Sequence, residues 1–95
     1  MIEKLEKVLS SAFKKLGYDE KFVKISLSNR PELCDYQINS VFQIAKELHK
    51  NPIDIGEKLI KEINNISDFN DYFSEVVFAK PGFINIKISD KFILN

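Results

Sequence analysis

Hydrophobic periodicity divides the chain into helical and extended parts. Across residues 2–16 apolar side chains recur at three- and four-residue steps, and Gly17 stands where a helix commonly ends. A second helix is predicted over 38–48, with Asp35 before it as the capping residue. A third is predicted over 51–65, where an asparagine cap is followed by proline in the first helical position. The apolar stripe of the second helix consists of Ile38, Val41, Phe42, Ala45 and Leu48.

Alternation of apolar and polar residues predicts the strands. They are expected at 23–28, 32–36, 75–79 and 83–88. The last two are joined by a tight turn at Pro81-Gly82, in which proline fixes its φ angle and glycine is free to take a positive one. Residues 66–72 fit a short helix or an ordered loop, and Ser89 is placed to cap a further helix. The predicted fold class is α+β, a small antiparallel sheet of about four strands with helices packed on one face.

The strand at 83–88 has two chemically different faces, because successive strand side chains point to opposite sides. Its isoleucines share the face expected in the core. The three side chains of the opposite face are here called the outer row: Phe83, Asn85 and Lys87. An aromatic ring, an amide and a cation in line are the groups that stack a base, hydrogen-bond its edge and contact a phosphate. The pattern therefore suggests a site for one unpaired nucleotide.

The same alternation has a structural interpretation, which the pattern leaves open. Polar residues on the outer side of a strand are ordinary, and an aromatic ring there often covers a small apolar cluster. The lysines are equally ambiguous, since acidic residues are interspersed with them. Lys80 and Lys87 flank the proposed site, and a second group is close together in sequence: Lys14, Lys15, Lys21 and Lys24.

Charge and composition narrow the class of protein. Fourteen basic side chains balance fourteen acidic ones, so the chain has no net field that attracts a polyanion over a long range. Its 95 residues suit one domain with a modest core. No apolar run is long enough to cross a bilayer, the first residues lack a signal region, and the single cysteine, Cys34, agrees with a reducing compartment. We expect a cytoplasmic monomer with no membrane partner.

Three segments together resemble a known family. They are Pro81-Gly82-Phe83-Ile84-Asn85-Ile86, Asp35-Tyr36-Gln37-Ile38-Asn39 and Ile44-Ala45-Lys46-Glu47-Leu48. In order and separation they resemble the N-terminal additional domain of arginyl-tRNA synthetases, and the resemblance covers nearly the whole chain. Two positions depart from the family pattern, since Cys34 and Lys80 stand where the family usually has glycine.

The resemblance implies a role in tRNA recognition. In the family this domain grips the outer corner of the tRNA, where the aromatic residue of the turn and strand stacks on a D-loop base and the polar residue two positions on hydrogen-bonds that base. These roles map onto Phe83 and Asn85. Lys87 and Lys80 are expected to contact phosphates. Two further candidates for tRNA binding are Tyr36 and Gln37, for which core packing and helix-start hydrogen bonds are the alternative roles.

The sequence contains no recognisable catalytic site. It has no glycine-rich phosphate loop, no cysteine or histidine cluster and no nucleophile beside a base, and the signature elements of class I synthetases are missing. His49 is expected to be a surface residue near a helix end. The resemblance implies that residues 1–95 are one domain of a longer arginine–tRNA ligase, cut near the helix after Ser89. ATP and arginine would bind a separate catalytic domain, and the partners would be arginine tRNA and the other synthetase domains. The alternative is a structural docking domain without base recognition.

Overall fold

The computed structural model describes residues 1–94, which form helices and strands in mixed order. The helices are α1 (Ile2–Lys15), α2 (Val41–Leu48), α3 (Pro52–Asn64), α4 (Phe69–Tyr72) and α5 (Asp90–Leu94), with a 3-10 turn at Glu20–Phe22. The strands are β1 (Ile25–Leu27), β2 (Tyr36–Ile38), β3 (Phe73–Ala79) and β4 (Phe83–Ile88). Segregated helices and an antiparallel sheet confirm the α+β class predicted from the sequence.

The four strands form one antiparallel sheet in the order β1-β2-β4-β3. On β4 the isoleucines at 84, 86 and 88 face the helices and are buried, as the alternation predicts. The opposing helices α1 and α3 contribute fully buried side chains to the same cluster. Gly56 lets α3 approach β3, because a Cβ atom at that position would overlap the Phe78 ring. The core therefore lies between one face of the sheet and these helices.

Helix ends follow the local sequence signals. Gly17 has a φ of 78° just after α1, a conformation that glycine adopts without a steric penalty. The Asn51 side chain accepts a hydrogen bond from the Ile53 amide at 2.8 Å, with Pro52 opening α3. Ser89 Oγ accepts one from the Phe92 amide at 3.1 Å and so caps α5. These three predictions are confirmed, although Asn65 ends α3 with a φ of −94° rather than a left-handed one.

The region between α1 and α2 differs from its prediction. The 3-10 turn precedes β1, which is limited to Ile25–Leu27, and β2 begins at Tyr36, later than the strand expected at 32–36. Asp35 does not cap α2, because β2 separates it from that helix. Its carboxylate instead accepts a hydrogen bond from the Ile88 amide at 2.8 Å. Cys34, which stands where the family usually has glycine, is buried as a free thiol.

The buried stripe of α2 also differs. Ile38 belongs to β2, where it is buried opposite Ile84. Ile44 is buried in its place, whereas Phe42 and Leu48 are 38% and 43% exposed. α2 is only eight residues long and packs chiefly on α3 and the 3-10 turn, through a buried side that consists of Val41, Ile44 and Ala45.

The turn between β3 and β4 has the predicted position but a different backbone conformation. The Lys80-Pro81 peptide bond is cis, and Gly82 does not have a positive φ. Gly82 is needed for space: a Cβ atom there would lie 2.7 Å from the Phe42 ring. Gly82 therefore does not use its freedom to take a positive φ, and the glycine serves close packing between the turn and α2.

Candidate nucleic-acid interface

The face of the sheet opposite the core carries the outer row. Asn85 is aligned with Gln37 on β2 and with Val77 on β3, and Gln37 is aligned with Ser26 on β1. These residues form a line across all four strands, because paired positions in an antiparallel sheet point to the same face. Val77 is 40% exposed, and Ser26 is exposed as well. This face of the sheet is therefore accessible to a ligand at its centre.

Phe83 stands at the start of β4 and is half-buried. Its ring meets the ring of Phe42 edge to face, with the centroids 5.6 Å apart and the planes at 78°. Such pairs contribute about 0.5–1.5 kcal/mol beyond simple burial. The contact orients the Phe83 ring while part of that ring stays exposed. Helical periodicity assigns Phe42 to the core, so a contact of Phe42 with Phe83 was not predicted from the sequence.

Asn85 and Gln37 are joined on the outer face. Gln37 Nε2 donates a hydrogen bond to Asn85 Oδ1 at 2.9 Å, and both residues are half-buried. With that oxygen engaged, the Asn85 amide nitrogen and the Gln37 carbonyl oxygen provide a donor and an acceptor at neighbouring positions. A nucleobase edge also presents donors and acceptors side by side. Gln37 and Asn85 thus lie together on the outer face, and the tRNA-binding role of Gln37 stays a prediction.

The two lysines of the predicted site have different surroundings. Lys87 Nζ lies 3.6 Å from Glu75 Oε1, and about half of each side chain is exposed. The Glu75 carboxylate offsets the positive charge at this end of the outer row. Lys80 is exposed in the turn beside Phe83, and no ion pair involves it in the described part of the chain. The positive charge of Lys80 is therefore more available to a ligand than that of Lys87.

Tyr36 is not on this face. It points to the core side of β2, where it is aligned with Ile86 and only 9% exposed. Its hydroxyl lies 3.2 Å from the Met1 sulfur. The alternation of β2 places Gln37 outward and Tyr36 inward, so the two predicted residues are separated by the sheet itself. Phe83, Asn85, Gln37 and Lys87 share the outer face and Lys80 lies in the adjoining turn, whereas Tyr36 faces the core.

The second group of lysines identified in the sequence does not share one surface. Lys15 forms an ion pair with Glu62 at 3.7 Å, on the α1 and α3 side of the molecule. Lys21 and Lys24 instead line a groove beside α2. His49 ends α2 in a left-handed conformation with a φ of 55° and is exposed, in keeping with its predicted surface position. Within residues 1–94, no three His, Cys, Asp or Glu side chains are grouped as metal ligands.

No helix among residues 1–94 has the length and apolar character that crossing a membrane requires.

Comparison of the fold with solved structures shows a match to the Thermus thermophilus arginyl-tRNA synthetase, with a TM-score of 0.73 and 23% sequence identity. The match covers 99% of this chain and 15% of that one, and it establishes the similarity of the fold.

Sequence comparisons point to the same family. Arginine–tRNA ligases of Alkaliphilus oremlandii and Agathobacter rectalis are 36% and 37% identical to the chain over 93 residues. Those matches cover 98% of this chain and 15% of each ligase, so the chain spans about a seventh of the length of these relatives. Residues 2–88 match the family described as the arginyl tRNA synthetase N terminal domain. The chain belongs to that family of arginyl-tRNA synthetase N-terminal domains.

Proposed function

We propose that this chain is the tRNA-recognition domain of an arginine–tRNA ligase, and that its outer face binds one unpaired base of the D-loop at the outer corner of arginine tRNA. In this proposal residues 1–95 act as one domain beside the catalytic and other domains of a longer cytoplasmic enzyme. That enzyme would bind ATP and arginine elsewhere and attach arginine to the tRNA. The observation that carries the proposal is the shared outer face of Phe83, Asn85 and Gln37.

Stacking on Phe83 is the first proposed contact. The ring is held against Phe42 and is partly exposed, so it needs little reordering when a base arrives. A stacked base contributes about 1–3 kcal/mol in single-stranded recognition. The aromatic ring tolerates any base, because every base has a flat face. Stacking therefore supplies affinity, and the neighbouring amides supply selectivity.

Hydrogen bonding by the paired amides is the second contact. Gln37 fixes the orientation of the Asn85 side chain, which then presents its amide nitrogen to the edge of the stacked base. A well-placed amide contact discriminates between bases by about 1–3 kcal/mol. Lys80, and Lys87 after partial release from Glu75, would contact adjacent phosphates. In the full enzyme a few kcal/mol retained at the transition state would become tenfold to about hundredfold discrimination among tRNAs.

The test is an NMR titration of the 95-residue chain with arginine tRNA and with a tRNA of another specificity. Phe83→Ala is compared with Phe92→Ala, a half-buried phenylalanine of α5 that packs on Tyr72 beyond the opposite end of β4. We expect shifts clustered at 80–87, a preference for arginine tRNA, and affinity lowered about fivefold to 150-fold by Phe83→Ala alone.

The proposal would be contradicted if the two substitutions changed tRNA affinity equally, or if the residues of the outer row showed no chemical-shift changes. The alternative would then be favoured, in which this domain docks against another protein surface and the Phe83–Phe42 and Gln37–Asn85 contacts serve packing only.

A further inference from the structure

A basic groove lies beside the outer face, between the 3-10 turn at Glu20–Phe22 and α2. Its volume is about 600 Å³. Residues from two segments line it, and this set is called the basic groove below: Lys21, Phe22, Lys24, Gln43, Lys46, Glu47 and His49. The proposal for the outer row does not use these residues. Their positions in the sequence, 21–24 and 43–49, gave no indication that they meet.

The basic groove concentrates positive charge on a chain that has none overall. Three lysines and one glutamate line it, whereas the whole chain carries fourteen basic and fourteen acidic side chains. Lys21 is partly neutralised, since its Nζ lies 3.4 Å from Glu47 Oε1 and 5.0 Å from the centre of the Phe22 ring. Neither Lys24 nor Lys46 forms an ion pair within residues 1–94. These two exposed ammonium groups are suited to phosphate oxygens.

The basic groove is continuous with the line of residues that crosses the sheet. A neighbouring hollow of about 300 Å³ shares Lys24 and Gln43 with the groove and is also lined by Ser26 and Asn39. Ser26 is aligned with Gln37, which is bonded to Asn85. Two strand spacings, roughly 10 Å, separate β4 from β1. A strand of nucleotides whose base lies at Asn85 can therefore extend across β2 and β1 toward the hollow at Ser26 that adjoins the groove.

We propose that the basic groove binds the phosphodiester backbone of the RNA strand next to the base held at the outer row, with Lys24 and Lys46 as the phosphate contacts. This inference rests on the proposed function, because it takes the position of the base from that proposal. The chemistry favours a polyanionic strand over an acidic peptide, since the groove continues directly into a face of amides and an aromatic ring.

The experiment measures tRNA affinity of the 95-residue chain by NMR titration at several salt concentrations. The double variant Lys24→Gln/Lys46→Gln is compared with Lys58→Gln/Lys61→Gln, which removes the same charge from exposed positions on α3. Each phosphate contact to a single strand changes the slope of log affinity against log salt by about 0.7. We expect the groove variant to lose about 1.4 from that slope, and the α3 variant to keep it.

Phe83→Ala separates this inference from the proposed function. It should weaken binding without changing the salt slope, because stacking releases no counterions. If Phe83→Ala weakens binding while the groove variant keeps the wild-type slope, the groove inference is overturned and the proposed function stands. If the groove variant lowers the slope while Phe83→Ala has no effect, the groove binds RNA independently of the outer row, and both the adjacency proposed here and the base site are refuted. A complete lack of shifts at millimolar tRNA would overturn both.

Discussion

Gln37 and Asn85 are joined across β2 and β4 by a hydrogen bond of 2.9 Å, so the two amides form one unit on the outer face. They are separated by 48 positions in sequence, and in each strand the side chains directly before and after them face the core. An amide held in this way is already ordered before a ligand binds. Such preorganisation reduces the entropy that binding must overcome.

A double-mutant cycle at Gln37 and Asn85 tests this unit. Asn85→Leu should lower tRNA affinity by about 1–3 kcal/mol, because the base edge loses its partner. Gln37→Leu should lower it less, and the double variant should lose less than the sum of the two single losses, with a coupling of about 0.5–3 kcal/mol. Affinities come from titration with arginine tRNA, and urea unfolding checks that each variant is folded. Strictly additive effects would show that Gln37 does not act through Asn85.

Gly82→Ala should disturb the aromatic pair through Phe42. The added Cβ atom would lie 2.7–3.0 Å from three atoms of the Phe42 ring, while the backbone at Gly82 has no positive φ that would oppose alanine. We expect a loss of about 1–3 kcal/mol in the free energy of unfolding, typical of overpacking. Phe42→Leu shortens the side chain that obstructs the Cβ atom, so the double variant should lose less than the sum of the single losses in urea unfolding.

The matched comparison is Gly17→Ala, where nothing lies within 4 Å of the added atom but φ is 78°. Its loss should come from the backbone alone and should not depend on Phe42. If Phe42→Leu relieves neither substitution, close packing is not the reason for glycine at position 82.

Local signals in the sequence account for most of the helices. The stripe of α1, the Asn51-Pro52 start of α3 and the Ser89 cap depend on residues within one turn of each other, so they are readable without tertiary information. The outer row is equally readable, because strand alternation alone divides β4 into two faces.

The errors occur where distant parts of the chain determine the structure. Asp35 has the chemistry of a helix cap, but pairing of residues 36–38 with β4 carries its carboxylate to the Ile88 amide. Ile38 fits a helical stripe as well as a strand, and the sheet determines its place. The contact of Phe42 with Phe83, and the meeting of Lys24 with Lys46, likewise arise from packing between separated segments. No pattern within a single segment encodes such contacts.

Through its phenol, Tyr18 should make the stability of the fold depend on pH in the alkaline range. It is half-buried against the core, and burial raises the pKa of its phenol above the ordinary 10.0. The folded state thus holds the proton more tightly than the unfolded state does, so its contribution to stability is present below about pH 10 and is lost as the pH rises through the folded pKa. Urea unfolding of wild type and Tyr18→Phe is measured from pH 8 to pH 11.

The difference in unfolding free energy between these two proteins should stay constant up to about pH 9 and then shift in favour of Tyr18→Phe. Tyr36→Phe does not serve as the control, because that hydroxyl contacts the Met1 sulfur. Phe69→Tyr is a second test of the same effect, since it adds a phenol at another half-buried aromatic position near the same core. The prediction would be contradicted if the difference in unfolding free energy between wild type and Tyr18→Phe stayed the same from pH 8 to pH 11.

Asp35 should stabilise the sheet by joining the start of β2 to the end of β4. Its carboxylate accepts the Ile88 amide at 2.8 Å, and its own backbone amide donates to the Ile86 carbonyl at 2.9 Å. Asp35→Ala leaves the Ile88 amide without that partner, so we expect the free energy of unfolding to fall by about 1–3 kcal/mol. Asp35→Asn keeps an acceptor oxygen and should lose less. Hydrogen exchange should show reduced protection at Ile88 in the alanine variant, and unchanged exchange there would refute the role assigned to this carboxylate.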